Sequence, residues 1–586
     1  MSQYKCMRQL ILISLLLLSS LAFAHRLVLE DPSEVQSLEE GDFNLGAVLF
    51  RLPGADNKKL LKHPAYNSLV TDLEKDLEAL KTQDSKLGVG MNYVHRLFDI
   101  RWLKSPAAKF ELVGVVNRMD RTVFNPGTCG EVRLIYRLSY AKTQNQTLIQ
   151  SRLPMTLNAV FKLPATPLCQ AVAKQWSSQQ KPPLKSWVTL ANLKSLEVNL
   201  QAVRWPSTIR GDMGGHAEYF LRVYRLKNNS FVPTAMENTP DVARLQNDSA
   251  LRAELLAWIS TPENIKALDA GTLNIPEKFL TTKSSSFALH GMNRLANRPF
   301  DQIFKKDDFK NLKLTDLENI YGPSSFRRRL NDLSCAGCHQ GRTIAGFHFL
   351  GKDPESTIFA NSIFSSQSPH MMQEQKRRQV YFQNIFQGKT PDSSRPFSER
   401  DPQTPGPMNA HCGLPGSEYQ AWTCAAGLKC VAVVNPETSK EIGECLPEQP
   451  VAGNPCEPGT ITQTAHSHKD QMKASARTAC AGHQVCQTTK VGFPGGMCSG
   501  GCENLRPGEA CGAIAILQGF NDCLARNRPF GECLAQNTRP AGLQACDDNT
   551  SCRADYICNK TQSGKGVCIP PYFLFQLRVD GHPKPI

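Results

Sequence analysis

Two cysteines and a histidine in the segment SCAGCHQG, residues 334–341, have types and a spacing suited to chemistry. Cys335 and Cys338 are separated by two small residues, and His339 follows directly. Two thiols at this spacing can add to the two vinyl groups of a haem, while the adjacent imidazole reaches the iron. The same residues can instead form a disulfide or a thiol-redox pair, or half of a zinc site completed by His339 or His348.

The surrounding sequence favours haem attachment. The motif lies far from the cysteine-rich C-terminal region, no βαβ pattern of a thioredoxin-like site surrounds it, and no second Cys or His pair completes a zinc site. The segment from about residue 320 to 390 resembles the haem-binding segment of c-type cytochromes. The resemblance implies covalently bound haem c, with Cys335 and Cys338 as the thioether anchors and His339 as the proximal iron ligand.

The distal iron ligand has three candidates. His348 is close to His339 and lies between two phenylalanines, but it needs a tight reversal of the chain to reach the opposite side of a haem. Met371 and Met372 have the better spacing. If none of them binds, the iron keeps an open position, and the protein becomes an oxidoreductase that acts on a small molecule.

The N-terminus predicts export. Lys5 and Arg8 precede the apolar run 10–18, and a small-residue cleavage site ends at Ala24. This is the layout of a signal peptide over residues 1–24, and its apolar run is too short to span a bilayer. No later stretch is long and apolar enough, so no membrane span is expected after its removal. We expect a protein of the bacterial periplasm, the cell surface or the secreted fraction.

The composition limits the range of partners. The 586 residues carry a formal net charge of +14, without a dense run of Lys and Arg among aromatic residues. Nucleic acid is therefore not an expected partner. The charge instead suits solubility or attraction to an acidic surface, including that of a redox partner protein. The sequence leaves the oligomeric state open.

The 21 cysteines divide the chain into two parts. Sixteen of them lie in residues 412–568, whereas only Cys129, Cys169 and the two motif cysteines lie between the signal peptide and residue 411. An even number in an exported segment predicts a disulfide framework, whose connectivity the spacing leaves open. Cys129 and Cys169 are the natural remaining pair.

A repeat runs through the cysteine-rich part. Three times, two cysteines separated by five residues precede a glycine and a further cysteine, as in Cys424, Cys430 and Cys445. Each repeat predicts a short hairpin. The spacing alone resembles that of cysteine-rich modules in the Dickkopf and insulin-like-growth-factor-binding families, which implies a compact extracellular binding or spacer module. A protease-resistant tail without a partner is the alternative.

Alternating apolar residues predict a sheet in the middle of the chain. Candidate strands come first and a helix over 241–260 comes later, which predicts an α+β fold with a largely antiparallel sheet. Another helix is predicted over 68–83. The predicted strands cover residues 111–116, 131–140, 155–163, 195–203 and 216–226.

Together these features predict six segments. A mostly helical haem-motif segment and a linker rich in Pro, Ser and charge separate the sheet domain from a disulfide-rich region with short hairpins. The segments are a signal peptide 1–24, a mixed and helical region 25–105, an α+β sheet domain 106–320, a haem-binding segment 321–390, a linker 391–411 and disulfide-stapled modules 412–586.

A second group of polar residues falls on two predicted strands and the segment VNRMDR. Because side chains alternate along a strand, Glu131 shares a face with Arg133, and residue 216 shares one with residue 218. Such residues can line an anionic-ligand site or form a buried ion network. A solvated sheet face with surface ion pairs of little energetic worth is the favoured interpretation. The group consists of Arg118, Asp120, Glu131, Arg133, His216 and Glu218.

The sequence thus predicts an exported c-type haem protein in electron transfer or haem-based redox chemistry. The large domain ahead of the motif exceeds what an electron carrier needs, so a redox partner protein or a small molecule is expected to use it. The alternative is an extracellular ligand-binding or surface protein held by disulfides. In that case Cys335 and Cys338 form a disulfide or a metal site.

Overall fold

The computed structural model describes the chain mainly between residues 26 and 450, with shorter parts beyond. The predicted signal peptide lies outside the described residues. The structure describes residues 26–52, 57–164, 168–177, 182–206, 216–288, 298–335, 351, 369–397, 405, 406, 408, 410–432, 441–450, 456, 479–481, 484–487, 497–500, 545, 546, 557–560, 566–569 and 578–585.

One ten-stranded sheet dominates the described chain. Its strands are β1 Val28–Leu29, β2 Leu87–Gly88, β3 His95–Leu97, β4 Ala108–Arg118, β5 Glu131–Gln144, β6 Thr147–Lys162, β7 Leu193–Trp205, β8 His216–Lys227, β9 Ser230–Pro233 and β10 Lys283–Ala288. Their order is β1-β4-β5-β6-β7-β3-β2, and β8 pairs with β7, β9 and β10. All pairs are antiparallel except β2 with β3. The five strands predicted from alternation are β4 to β8.

Two tight turns fix the hairpins of this sheet. Asn145 and Gln146 join β5 to β6, and Asn228 and Asn229 join β8 to β9. All four residues have positive φ angles, from 47° to 62°. Two consecutive residues of this kind form a type I′ turn, whose twist matches that of the flanking strands. Asparagine tolerates this conformation better than most residues, so the local sequence sets the register of both hairpins.

Helices cover one face of the sheet and enclose the main hydrophobic core. Leu69, Leu73 and Leu77 lie along one side of α4 and belong to the same core as Val132 and Leu134 of β5. None of the described helices is both long and apolar enough to cross a membrane. The helices are α1 Pro32–Leu38, α2 Leu45–Phe50, α3 Asn57–Leu60, α4 Pro64–Gln83, α5 Cys169–Trp176, α6 Leu184–Trp187, α7 Val242–Asn247, α8 Ser249–Ile259, α9 Pro262–Asp269, α10 Pro323–Leu333 and α11 Pro369–Phe386.

Shorter helical turns complete the secondary structure. A π-helical turn covers Glu39–Phe43. The 3-10 helices are Ile100–Lys104, Met119–Phe124, Glu277–Phe279, Phe300–Gln302 and Lys306–Phe309. Met119–Phe124 directly follows β4 and carries part of the polar site described below.

Helices α7 to α10 form a second hydrophobic core. The single helix predicted over 241–260 is wrong, because α7 ends at Asn247 and α8 begins at Ser249. Asp248 lies between them with an extended ψ of 97°, and its carboxylate accepts a hydrogen bond from the Leu251 amide at 2.9 Å. This side chain caps α8, and the capping interaction competes with a continuous helix.

The α+β class with a largely antiparallel sheet is confirmed. Residues 25–105 contribute β1, β2 and β3 to the large sheet. Helix α11 joins the main core through Tyr381, Phe382 and Ile385. Part of the predicted linker is packed, since Arg395 and Phe397 are buried and Phe397 lies beside Trp422.

The cysteine-rich region repeats one small architecture. Its strands are β11 His411–Gly413, β12 Leu428–Ala432, β13 Ile442–Pro447, β14 Gln484–Gln487, β15 Met497–Gly500, β16 Ala545–Cys546, β17 Ile557–Lys560 and β18 Gly566–Ile569. The first and third units share a strand order, β11-β13-β12 and β16-β18-β17. The predicted hairpins and disulfide-rich character are therefore confirmed.

The described disulfides of this region follow one order of pairing. In each of the first two units, the first cysteine bonds to the third and the second bonds to the fourth. The predicted pair Cys129–Cys169 is also confirmed, with a Cα–Cα distance of 5.3 Å. The four bonds of the repeat are Cys412–Cys430, Cys424–Cys445, Cys456–Cys486 and Cys480–Cys498.

The C-terminal segment 578–585 docks on the large sheet. Asp580 is buried and forms ion pairs with Arg204 at 2.8 Å, Arg96 at 3.4 Å and Arg578 at 3.1 Å. Burial would raise the pKa of Asp580, but the attraction of Arg204 and Arg578 outweighs it and holds the pKa below its usual range. The cysteine-rich region is therefore attached to the sheet domain at its far end as well.

We expect peptide mapping without reduction to recover the four bonds in the order first to third and second to fourth. The third sequence repeat is expected to follow the same order, which predicts the pairs Cys546–Cys558 and Cys552–Cys568. Mass spectrometry of a digest made at acidic pH, where thiol exchange is slow, measures this connectivity. Bonds between neighbouring cysteines of one unit would contradict the prediction.

We expect Asp580→Asn to release the C-terminal segment. The substitution leaves buried arginines without their carboxylate, so the free energy of opening this segment should fall by roughly 3–5 kcal/mol. Hydrogen exchange of the backbone amides of 578–585 measures the opening. Glu74→Gln is the control, because Glu74 pairs with Lys104 at an exposed position and such pairs are worth little. Equal exchange in both variants would show that the ion pairs do not hold the segment.

Candidate functional site

Cys335 is the described residue of the Cys-x-x-Cys-His motif. It follows the end of α10 by two residues and is only 3% exposed. Its amide donates a hydrogen bond to Thr239 Oγ1 at 2.8 Å, and its thiol donates to the Glu237 carbonyl oxygen at 3.5 Å. Leu221 and Met236 belong to the same buried apolar cluster as Cys335. The motif therefore begins at a buried, hydrogen-bonded position against the sheet.

The other residues of the predicted haem site are only partly described. Cys338, His339 and His348 lie outside the described residues. Met371 and Met372 lie in the first turn of α11, and their side chains are outside the description. The proximal and distal ligands therefore stay predictions.

A cavity of about 70 Å³ lies beside Cys335. It is bounded by β7, β8 and the segment 234–237, and its wall is strongly charged. Among the described residues, four basic and two acidic side chains line it. The lining residues are Arg121, Arg133, Lys194, Ser195, Glu197, Val223, Arg225, Thr234, Ala235, Glu237 and Cys335.

Glu131 is the centre of the ion pairs beneath this cavity. Arg133 Nη2 lies 2.8 Å from one of its carboxylate oxygens, and Lys194 Nζ lies 2.7 Å from the other. Asn125 donates a further hydrogen bond at 2.8 Å. Burial would raise the pKa of Glu131, but attraction to Arg133, Lys194 and Arg121 holds it well below its usual range. Glu131 is therefore a fixed negative charge.

Arg133 and Arg121 connect Glu131 to two further carboxylates. Arg133 Nη1 lies 3.0 Å from Glu197 on β7, and Arg121 forms a two-pronged ion pair with Glu237. Burial raises the pKa of Glu197 despite its contact with Arg133. The two-pronged geometry suits the planar guanidinium and fixes Arg121 in one orientation.

A second part of the network lies where β4 meets α11. Arg118 Nε and Arg377 Nη2 each lie 2.8 Å from Asp120. Arg377 and Arg378 also pair with Glu374, at 2.5 and 3.3 Å. Burial opposes ionisation of Asp120, but the nearby arginines, Arg118 first, keep its pKa well below the usual range.

A glycine brings the two sequence segments of the network together. Gly130 has a φ of 90°, and a Cβ at this position would lie 2.5 Å from the Arg118 carbonyl oxygen. Only glycine combines this backbone conformation with so close an approach. The resulting register places Glu131 opposite Arg118, next to the disulfide at Cys129.

The favoured interpretation of these residues as a solvated sheet face is wrong. Arg118 and Glu131 are 0% exposed, and Arg133 is 1% exposed. The sequence pattern is that of an exposed strand face, but distant parts of the chain cover it. Of the two alternatives, a buried ion network is the arrangement that these side chains form.

Glu218 does not belong to this network, because it lies on the opposite face of the sheet. On β8, Leu221 packs with Cys335, whereas Phe220 belongs to the main core and Arg222 pairs with Asp76 of α4. Residue 218 shares the face of residues 220 and 222. His216 begins β8, and its side chain is outside the description. The predicted grouping of Glu218 with Glu131 is therefore wrong.

Sequence reasoning missed several residues of the cavity. Glu197 lies within a predicted strand, and its alternation with Leu196 and Val198 is a usable signal. Arg121 stands in the quoted segment VNRMDR, next to Asp120. Glu237 follows β9 in a loop, where no periodic pattern indicates a role.

By distance alone, two cysteine clusters in the C-terminal region could hold a metal ion. The sulfurs of Cys412, Cys424 and Cys445 lie within 4.8 Å of one another, as do those of a corresponding set in the next unit. Each of these sulfurs is part of a disulfide, so none offers a thiolate to a metal ion. The clusters are the cores of the disulfide modules.

We expect Glu218→Gln to stabilise the protein at pH 8 by roughly 2–3 kcal/mol, with little effect at pH 5. Burial raises the pKa of Glu218 from 4.5 to about 7. Between these values the unfolded chain loses its proton first, so the free energy of unfolding falls as the pH rises. Glutamine removes this ionisation and keeps a polar contact with Ser285.

Urea unfolding at the two pH values measures this effect. Glu254→Gln is the control, since Glu254 is exposed and pairs with Lys278. A difference between Glu218→Gln and the wild type that is the same at both pH values would contradict the expected titration.

The site thus combines a buried cysteine, an ionic cavity and an apolar contact surface. No protein-family model, curated protein or solved structure matches this chain.

Proposed function

We propose that this chain is an exported c-type haem protein that takes part in electron transfer or haem-based redox chemistry. The observation that carries the proposal is the Cys335-Ala-Gly-Cys338-His339 sequence directly after a helix. Cys335 and Cys338 would form the thioether bonds, and His339 would be the proximal iron ligand. Bound haem would supply one-electron redox chemistry.

The surroundings of Cys335 support this proposal. A haem combines an apolar ring with two carboxylate side chains, so it needs both apolar and basic neighbours. Leu221 and Met236 form an apolar cluster with Cys335, and Arg121 and Lys194 line the adjacent cavity. The apolar residues at the first cysteine therefore suit the ring edge that carries the thioether bonds, whereas the haem carboxylates would lie at the opposite edge.

The distal position decides between carrier and enzyme. His348, Met371 and Met372 are the candidate ligands, and an iron with six ligands passes electrons to a redox partner. An iron with an open position reacts with small molecules such as peroxide, and the protein is then an oxidoreductase. The ionic cavity beside Cys335 gives a small polar substrate a place to bind in that case.

Export to an oxidising compartment is part of the proposal. The structure describes five disulfides, and such bonds persist in the periplasm, at the cell surface and in secreted proteins. The N-terminal signal peptide layout indicates the same route. Haem attachment favours a bacterial periplasmic, surface or secreted protein.

The disulfide framework also favours a second candidate function. In this alternative the protein binds an extracellular ligand, and Cys335 and Cys338 form a disulfide or a metal site. The repeated modules after residue 411 would then supply the binding surface. The two candidates differ in one measurable property, the covalent haem.

We expect the full-length mature protein, made in a host that attaches c-type haem, to give a thioether-type pyridine haemochrome spectrum. Cys335→Ala/Cys338→Ala should lose the band entirely, because both vinyl groups then lack a thiol. Cys129→Ala/Cys169→Ala is the matched control, since it removes two cysteines outside the motif and should keep the band. Folded, oxidised wild-type protein without the band would exclude the haem proposal and favour the second candidate.

A further inference from the structure

One basic side chain beside Cys335 has a hydrogen-bond donor without an acceptor among the described residues. Arg121 lines the cavity, is 1% exposed and pairs with Glu237 through its two terminal nitrogens. Its Nε is buried and has no hydrogen-bond partner among the described residues, and its nearest ionic contact is Glu131 at 3.9 Å. A buried guanidinium donor without an acceptor is costly, so an acceptor from outside the protein would stabilise it.

Arg395 and Arg377 carry positive charge near Arg121, although neither lines the cavity. Arg121 and Arg395 both lie over the ring of Phe124, at 3.9 and 4.8 Å. Arg377 Nη1 is a further buried donor without a described partner. Burial lowers the pKa of Arg395 to about 9, and repulsion from Arg121 and Arg377 adds to this effect. Like charges in a buried cluster favour the binding of an anion.

The described side chains that line the cavity include more cations than carboxylates. Arg225, at the mouth, pairs with Glu277 and is half exposed. Apart from Arg225, three cations and two carboxylates line the cavity, and burial raises the pKa of one of these carboxylates, Glu197. The cations are Arg121, Arg133 and Lys194, and the carboxylates are Glu197 and Glu237. Glu131 lies beneath this wall and pairs with Arg133 and Lys194. The inner wall is therefore net positive.

We propose that the cavity beside Cys335 is an oxyanion-binding site for one carboxylate or phosphate group, with Arg121 as its central donor and Lys194 on its wall. The volume of about 70 Å³ suits a small group rather than an extended molecule. Charge-assisted hydrogen bonds from guanidinium and ammonium groups provide the affinity. The site also accounts for the presence of basic residues on a buried sheet face.

The bound oxyanion has two possible sources. One of them, a haem carboxylate, rests on the proposed function. A haem attached at Cys335 carries its carboxylates on the ring edge opposite the thioether bonds, and one of them would have to extend back to the cavity. A free small oxyanion, such as a substrate or inorganic phosphate, would provide the same chemistry without haem. The occupancy of the cavity in the protein with and without haem separates the two sources.

The test compares thermal unfolding of the full mature chain in sodium phosphate and in sodium chloride at matched ionic strength. It uses the wild type and the Cys335→Ala/Cys338→Ala variant, which cannot attach haem. A ligand that binds only the folded state raises the midpoint with its concentration. We expect phosphate to raise the midpoint of the haem-free variant in a saturable way.

The wild type then identifies the source. A haem-loaded wild type that does not respond to phosphate indicates that the cofactor carboxylate fills the site, whereas a wild type that responds binds a free oxyanion. If the wild type is stabilised by phosphate and gives no haemochrome band, the oxyanion site is supported and the haem proposal fails. If phosphate stabilises neither protein beyond chloride, the oxyanion site is excluded.

Two variants locate the binding. Lys194→Gln should weaken phosphate binding by about tenfold or more, the effect of losing one charge-assisted bond of about 1.4 kcal/mol. Lys104→Gln is the matched control, because this exposed lysine pairs with Glu74 outside the cavity. Equal phosphate affinities of the two variants would place the anion elsewhere and overturn the proposal.

The Ala235→Asp variant tests the same cavity without removing a basic side chain. Ala235 lines the cavity, so an aspartate there offers the cations a carboxylate from the chain itself. We expect a higher unfolding midpoint in chloride and the loss of the phosphate response. An unchanged phosphate response in a folded Ala235→Asp variant would contradict the assigned position.

Discussion

Charged side chains buried on one face of the large sheet constrain much of the described fold. A carboxylate or guanidinium removed from water costs several kcal/mol unless an opposite charge and hydrogen bonds compensate for it. Glu131 and Asp120 each pair with an arginine two residues away in the sequence. Each also needs a partner from a distant part of the chain, Lys194 for Glu131 and Arg377 for Asp120. The sheet, the 3-10 helix after β4 and α11 must therefore assemble together. A misplaced element would leave a buried charge unpaired, so the ion pairs favour a single arrangement of these elements.

The segment 237–239 joins this network to the cysteine motif. The Glu237 side chain binds Arg121, its backbone carbonyl accepts from the Cys335 thiol, and Thr239 accepts from the Cys335 amide. The position of Cys335 thus depends on the same ion pairs that hold the sheet face. This link makes the cavity a neighbour of the thiol. It also connects the two proposals, since an oxyanion in the cavity lies next to the proposed haem attachment.

Features with a local cause were predictable. Strands β4 to β8 follow from alternation, and the pair Cys129–Cys169 follows from elimination. The break at Asp248 was missed because the apolar periodicity continues across this residue. Its side chain nevertheless caps α8 and so interrupts the helix. Connectivity in the cysteine-rich modules was also beyond reach, since spacing does not reveal which sulfurs approach each other in space.

By itself, the sequence determined the strands, the α+β class, the cysteine-rich modules and the Cys-x-x-Cys-His motif, because each is encoded in short-range spacing. It also placed Glu131 and Arg133 on one face, since alternation acts within a strand. Only the tertiary structure decided that this face is buried and that Glu218 lies on the other side. Burial depends on which distant segments cover a face, and the facing of one strand relative to another depends on their pairing.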